Sequence, residues 1–149
     1  MTDLSTYPQL LEHLKAQVQG ARLQAALAVN TELLQLYWQI GHAIGDAQRR
    51  EGWGTKVVER LAADLRRAFP DMKGLSRTNL LYMRAFAQAW PREAIVQQVV
   101  GQLPWGHNVT LLDKLSSPQE RVWYALAARE HGWSRNVLAL QIDSRARER

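Results

Sequence analysis

Apolar positions along this chain recur at helical spacing almost throughout. After Pro8, a residue suited to a first helical turn, Leu10, Leu11, Leu14 and Val18 predict a short helix that ends near Gly20. From Arg22 to about Arg49 no proline intervenes, and Leu23, Leu27, Asn30, Leu34, Tyr37, Gly41 and Ile44 alternate spacings of four and three. This stripe predicts one long helix with a heptad-like seam, interrupted by a polar Asn30 and a small Gly41. A second apolar row (Ala26, Leu33, Leu36, Ile40, Ala47) flanks it, so neighbours are expected on two sides.

Gly52-Trp53-Gly54 breaks the pattern, and Thr55 is expected to cap a helix that turns Val58, Leu61, Leu65 and Phe69 inward until Pro70 stops it. The turn Pro70 to Leu75 leads to Ser76, which caps a helix packing Leu80, Met83, Ala87 and Trp90 inward. Helix, short glycine-containing turn and second capped helix make a helix-turn-helix candidate. Pro91 opens a short helix, Ala94 to about Val100, closed by Gly101. Three more starts follow, at Pro104-Trp105, Pro118 and Ser134. Trp53, Trp105 and Trp133 each stand just ahead of polar residues and a valine, a pattern in which the indole packs back on the first turn as a hydrophobic staple. No stretch alternates as a strand does. The expected fold is all-α: a multi-helix bundle with a long N-terminal helix and a helix-turn-helix-like core. A single helical domain is expected over residues 1–149, with an N-terminal helical arm at 8–50, the bundle at 55–143 and a basic end or linker at 144–149.

Composition narrows the function. At 46% apolar residues the chain can bury a substantial core. It shows neither a signal-peptide pattern nor an apolar run that would span a membrane, so a cytoplasmic location is expected. The absence of cysteine removes disulfides, thiolate zinc sites and cysteine nucleophiles. The formal charge of +5 favours polyanionic partners, and arginine outnumbers lysine 15 to 4. Arginine's planar fork suits phosphates and guanine edges, although a GC-rich genome would give the same bias.

Between Lys56 and Arg92 eight basic residues face three acids, so this region carries a charge equal to that of the whole chain. Within it Lys73, Ser76, Arg77, Thr78, Asn79 and Arg84 are the candidate nucleic-acid contacts. The hydroxyl, guanidinium and carboxamide sit at a helix N-terminus, where free N–H groups favour phosphate, and arginine and asparagine read guanine and adenine. His107, Asn108, Arg135 and Asn136 extend the set if folding brings those helix starts onto one surface. A solvated basic helix face in a plain bundle is the competing explanation.

Catalysis finds little support. His13, His42, His107 and His131 show no ligand spacing, and no phosphate loop or nucleophile elbow occurs, so no catalytic residue, metal or cofactor is expected. Asp71-Met72-Lys73 contains the Asp-x-Lys of a metal-dependent nuclease, but such a site needs a second carboxylate presented from a β-hairpin.

Several linked motifs carry a family resemblance. They are Ala28-Val29-Asn30-Thr31-Glu32-Leu33, Tyr37-Trp38-Gln39-Ile40-Gly41, Glu51-Gly52-Trp53-Gly54-Thr55-Lys56-Val57-Val58-Glu59-Arg60-Leu61, Asp64-Leu65, Phe69-Pro70-Asp71-Met72-Lys73-Gly74-Leu75-Ser76-Arg77-Thr78-Asn79-Leu80, Tyr82-Met83-Arg84, Leu103-Pro104-Trp105-Gly106-His107-Asn108 and Gly132-Trp133-Ser134-Arg135-Asn136-Val137-Leu138. Over roughly residues 8 to 143 the chain resembles the N-terminal domain of bacterial YhcG-type proteins of the PD-(D/E)XK nuclease superfamily. The resemblance implies that the nuclease motifs belong to a separate C-terminal domain, and that this chain binds or assembles without cutting. Two functions stay open. One is a DNA-binding helper domain, its partner double-stranded DNA. The other is a protein-interaction or dimerisation module, in which a homodimer pairs through the seam Leu23, Leu27, Asn30, Leu34, Tyr37, Gly41 and Ile44, with Asn30 setting register. An intramolecular partner for that seam is the simpler alternative.

Overall fold

A computed structural model describes residues 7–94 and 99–149. The first helix, α1, runs Tyr7–Glu51 over 45 residues, about 67 Å at 1.5 Å per residue. The break expected at Gly20 is absent. A helical glycine costs only about 1 kcal/mol relative to alanine, and no proline removes an amide there. Then follow α2 (Thr55–Ala68), α3 (Arg77–Ala89), a 3-10 turn (Val99–Gln102), α4 (Trp105–Lys114), α5 (Pro118–His131), α6 (Arg135–Asp143) and a last 3-10 turn (Ala146–Glu148). Among the described residues there is no strand, and the fold is the all-α bundle expected. Most of the helix expected from Ala94 to Val100 lies outside the described residues; Val99 and Val100 themselves begin a 3-10 turn.

Local capping explains where several helices begin. Ser76, Ser117 and Ser134 accept the backbone N–H of Asn79, Glu120 and Val137, so each satisfies one donor that the helix leaves orphaned. Thr55 does not cap α2. It is the first helical residue, and Gly54 precedes it without a side-chain bond. Gly132 ends α5 in the left-handed region at φ 64°, and the Trp133 amide returns to the Ala128 carbonyl.

The core forms around α3. Leu80, Met83 and Phe86 of α3 and the adjoining Trp90 are buried, so Phe86 takes the inward position expected of Ala87. On α2 it is Val58 and Ala62 that are buried, whereas Phe69 stays 55% exposed because α2 has already ended before it. One apolar cluster joins Leu34, Phe86 and Trp90 to Val100, Leu111, Tyr124 and Leu138; a second joins Tyr37, Ile44, Val58, Leu75, Leu80 and Met83. Trp105 packs against both. Gly41 lets α1 and α3 meet backbone to backbone: a methyl group there would fall within the Met83 carbonyl and 2.8 Å from the Arg84 amide nitrogen.

This packing corrects the seam expectation. Leu34, Tyr37, Gly41 and Ile44 are buried in the chain's own core, against α3 and its neighbours, and are not available to a second copy. Asn30 does not set a register between identical helices; its carboxamide N–H donates to the Leu103 carbonyl at 3.0 Å and to Gly101 at 3.4 Å. Leu23 and Leu27 remain exposed.

Candidate nucleic-acid interface

The starts of α3 and α4 and the first residue of α6 converge on one open groove of about 410 Å³. Its apolar lining is Tyr37, Trp105 and Val109, and its polar lining includes Lys73, Ser76, Thr78, Asn79, Tyr82 and Arg135. Gly74, in the left-handed region at φ +89°, lets the turn swing Lys73 to this edge beside Tyr37. Gly106 does a related job for Arg135: with no side chain on Gly106, the Arg135 stem lies across the start of α4, its Cδ 3.3 Å from where a Cβ would stand. Arg135 Nε donates to Thr110 Oγ1 at 3.3 Å, which leaves the rest of the guanidinium free of intramolecular bonds among the described residues.

Two networks hold the groove's shape. The Trp105 indole N–H donates to Asn79 Oδ1 at 2.8 Å, and the Asn79 amide donates to the Gly74 carbonyl at 2.6 Å. Asn79 thereby ties the turn, α3 and α4 together. Trp105 meets Tyr37 and Phe86 edge-to-face, with centroids at 4.9 and 5.2 Å. On the far side, Tyr82 Oη donates to Asp113 at 3.2 Å. The nearby Asp113 charge raises the Tyr82 pKa, with burial adding to it and Arg135 opposing. Burial likewise pushes up the Tyr37 hydroxyl.

The first amides of α3 and α4 have no intrahelical acceptor, and α4 begins after Pro104 without a side-chain cap. Both ends carry partial positive charge and both open near Lys73 and Arg135. The arrangement can hold anionic groups against an aromatic floor.

The expected contact residues divide on inspection. Lys73, Ser76, Thr78 and Arg135 line the groove, and the exposed Arg77 lies beside it with exposed Thr78 and half-buried Leu81 and Tyr82. Asn136 is exposed at the start of α6 but does not line the groove. Asn79 lines it with its carboxamide already engaged at both ends. Asn108 is 1% exposed and donates to the Val100, Leu103 and Pro104 carbonyls, so it is a core tie. His107 Nε2 lies 2.8 Å from the Trp133 carbonyl, which can only accept, so this nitrogen carries a proton and joins α4 to the α5–α6 turn. Arg84 leans over Gly45 of α1 and donates to Gln48 at 2.8 Å, away from the groove, its Nε buried without a partner. Sequence reasoning missed the pair Tyr82–Asp113: Tyr82 enters it only within the resemblance motif Tyr82-Met83-Arg84, and Asp113 stands in no motif. It assigned Tyr37 to the seam and Trp105 to a staple without seeing that the two rings meet.

Among the described residues no three His, Asp or Glu side chains gather as a metal site, and no helix is long and apolar enough to cross a membrane. Residues 13–149 match a family model described as the DUF1016 N-terminal domain. No curated protein and no solved structure gives a match.

Proposed function

The chain belongs to this DUF1016 N-terminal family, and from that premise we propose that it is a non-catalytic DNA-binding domain serving a YhcG-type protein of the PD-(D/E)XK nuclease superfamily. The observation that carries the reading is the groove itself. Two positive helix ends, Lys73, Arg135 and the adjacent Arg77 face one aromatic-floored surface within a chain of charge +5. Phosphates fix such a module in place through cations and helix N-termini, and exposed side chains on the α3 start supply base contacts.

Replacing Lys73, Arg77 and Arg135 together by alanine should weaken binding to duplex DNA by at least about tenfold, since each lost phosphate or base contact is worth about 1–3 kcal/mol. The dependence of log affinity on log salt should flatten by about 2 to 3, close to one released counterion per lost cation. All three side chains are exposed, so the variant keeps its helical spectrum. Unchanged affinity and slope in that folded variant would remove the groove from the binding surface.

The domain itself is read as uncatalytic. Asp71 is exposed in the turn between α2 and α3, and among the described residues no three His, Asp or Glu side chains gather to hold a metal. The purified chain should leave DNA uncut with magnesium or manganese. Metal-dependent cutting that disappears in Asp71→Ala would sink this.

A further inference from the structure

Every residue from Tyr7 to Val29 is exposed, so the first half of α1 stands off the body as an arm of about 35 Å. A lone helix in water normally keeps its shape with rows of opposite charge. This one carries a single ion pair among its described residues, Glu12 with Lys15 at 3.4 Å, and displays Tyr7, Leu10, Leu11, Leu14 and Val18, each at least 38% exposed. Such a surface is built to be covered.

Its pattern says by what. Tyr7, Leu11, Leu14, Val18, Ala21 and Ala25 alternate spacings of four and three, the 3.5-residue period at which one helix supercoils with another. The row is distinct from the stripe Asn30 to Ile44, which the chain's own core and loop carbonyls already occupy. We infer that the arm pairs with the arm of a second copy as a parallel two-stranded coiled coil through this row.

The flanking charges choose the direction. With Leu11, Val18 and Ala25 at a and Tyr7, Leu14 and Ala21 at d, Lys15 and Arg22 fall at e, while Leu10, Gln17 and Gln24 fall at g. In a parallel pair e faces g of the other helix, so Lys15 meets Leu10 and Arg22 meets Gln17, with no like charges opposed. In an antiparallel pair e faces e, which sets Lys15 against Arg22 or against Lys15 of the second copy. The inference does not rest on DNA binding by the groove, and the two fail separately.

Light scattering coupled to size exclusion on the full chain, without DNA and at tens of micromolar, should read a two-chain mass. Leu14→Lys combined with Val18→Lys should halve that mass and leave the unfolding temperature of the body unchanged, because the arm touches none of the core. Since the chain has no cysteine, Leu11→Cys reports a single pair. Mild oxidation should link the two chains through it, as the two thiols face each other only in the parallel arrangement. A one-chain mass for the unaltered protein overturns the pairing, as does a two-chain mass that survives the double lysine variant. A two-chain mass in which the Leu11→Cys variant does not cross-link overturns the parallel direction.

Discussion

Gly41→Ala should destabilise the domain by roughly 3–5 kcal/mol, although alanine is the better helix former by about 1 kcal/mol. The added methyl would overlap the Met83 carbonyl and approach the Arg84 amide nitrogen to 2.8 Å, and neither atom belongs to a flexible side chain. Ordinary overpacking costs about 1–3 kcal/mol because rotamers absorb part of the strain. Here relief requires α1 and α3 to separate, which loosens Leu34, Tyr37 and Ile44 together. For a domain of this size the unfolding temperature should fall by about 10 °C or more. Gly20→Ala is the matched control: the same helix, nothing within 4 Å of the new methyl, and, in an arm that touches none of the core, no loss of stability expected. Thermal unfolding followed by circular dichroism separates the two. Equal effects of the two substitutions would mean that α1 and α3 do not meet at Gly41.

What was legible in the sequence is what local physics decides. Ser76 and Ser134 announce their helices because an N-cap bond joins residues three apart, and such a bond needs no knowledge of the rest of the fold. The stripe from Leu34 to Ile44 was legible as a buried face for the same reason, since periodicity marks that a face is covered. What covers it is a long-range property, and a second copy and α3 leave the same signature. Asn30 shows the limit: its carboxamide serves two carbonyls more than 70 residues away, which a heptad reading turns into a register device.

The candidate site divides along the same line. Exposed cations at or just ahead of helix starts, Arg77 and Arg135 at the first residues of α3 and α6 and Lys73 in the turn before α3, could be picked out because a place on this surface asks only for position and charge. Asparagines could not be sorted. Asn79, Asn108 and Asn136 all follow a helix start, yet one is locked between Gly74 and Trp105, one is buried under loop carbonyls and one is exposed. A carboxamide both donates and accepts, so it serves a loop as readily as a base edge, and the surrounding fold decides which.

Trp105→Ala should cost about 3–5 kcal/mol, as large aromatic truncations in a core do, even though this ring is partly exposed. The indole touches both apolar clusters, so its removal uncouples them instead of opening a cavity in one. It also leaves Asn79 Oδ1 without its donor at the point where the α3 turn meets α4. Trp105→Phe divides these contributions: a phenyl ring keeps edge-to-face contact with Tyr37 and Phe86 but has no N–H, so the loss should shrink to about 1–3 kcal/mol, the cost of an unsatisfied acceptor plus the smaller ring. DNA binding, measured at a temperature where the variants remain folded, should follow the hydrogen bond more closely than the stability. Without the Trp105–Asn79 tie, the α3 and α4 starts no longer share one surface, and Lys73 and Arg135 lose their common target. Affinity should therefore fall in Trp105→Phe by more than its modest destabilisation accounts for. A phenylalanine variant that binds DNA as the unaltered chain does would show that the groove's alignment does not depend on this bond.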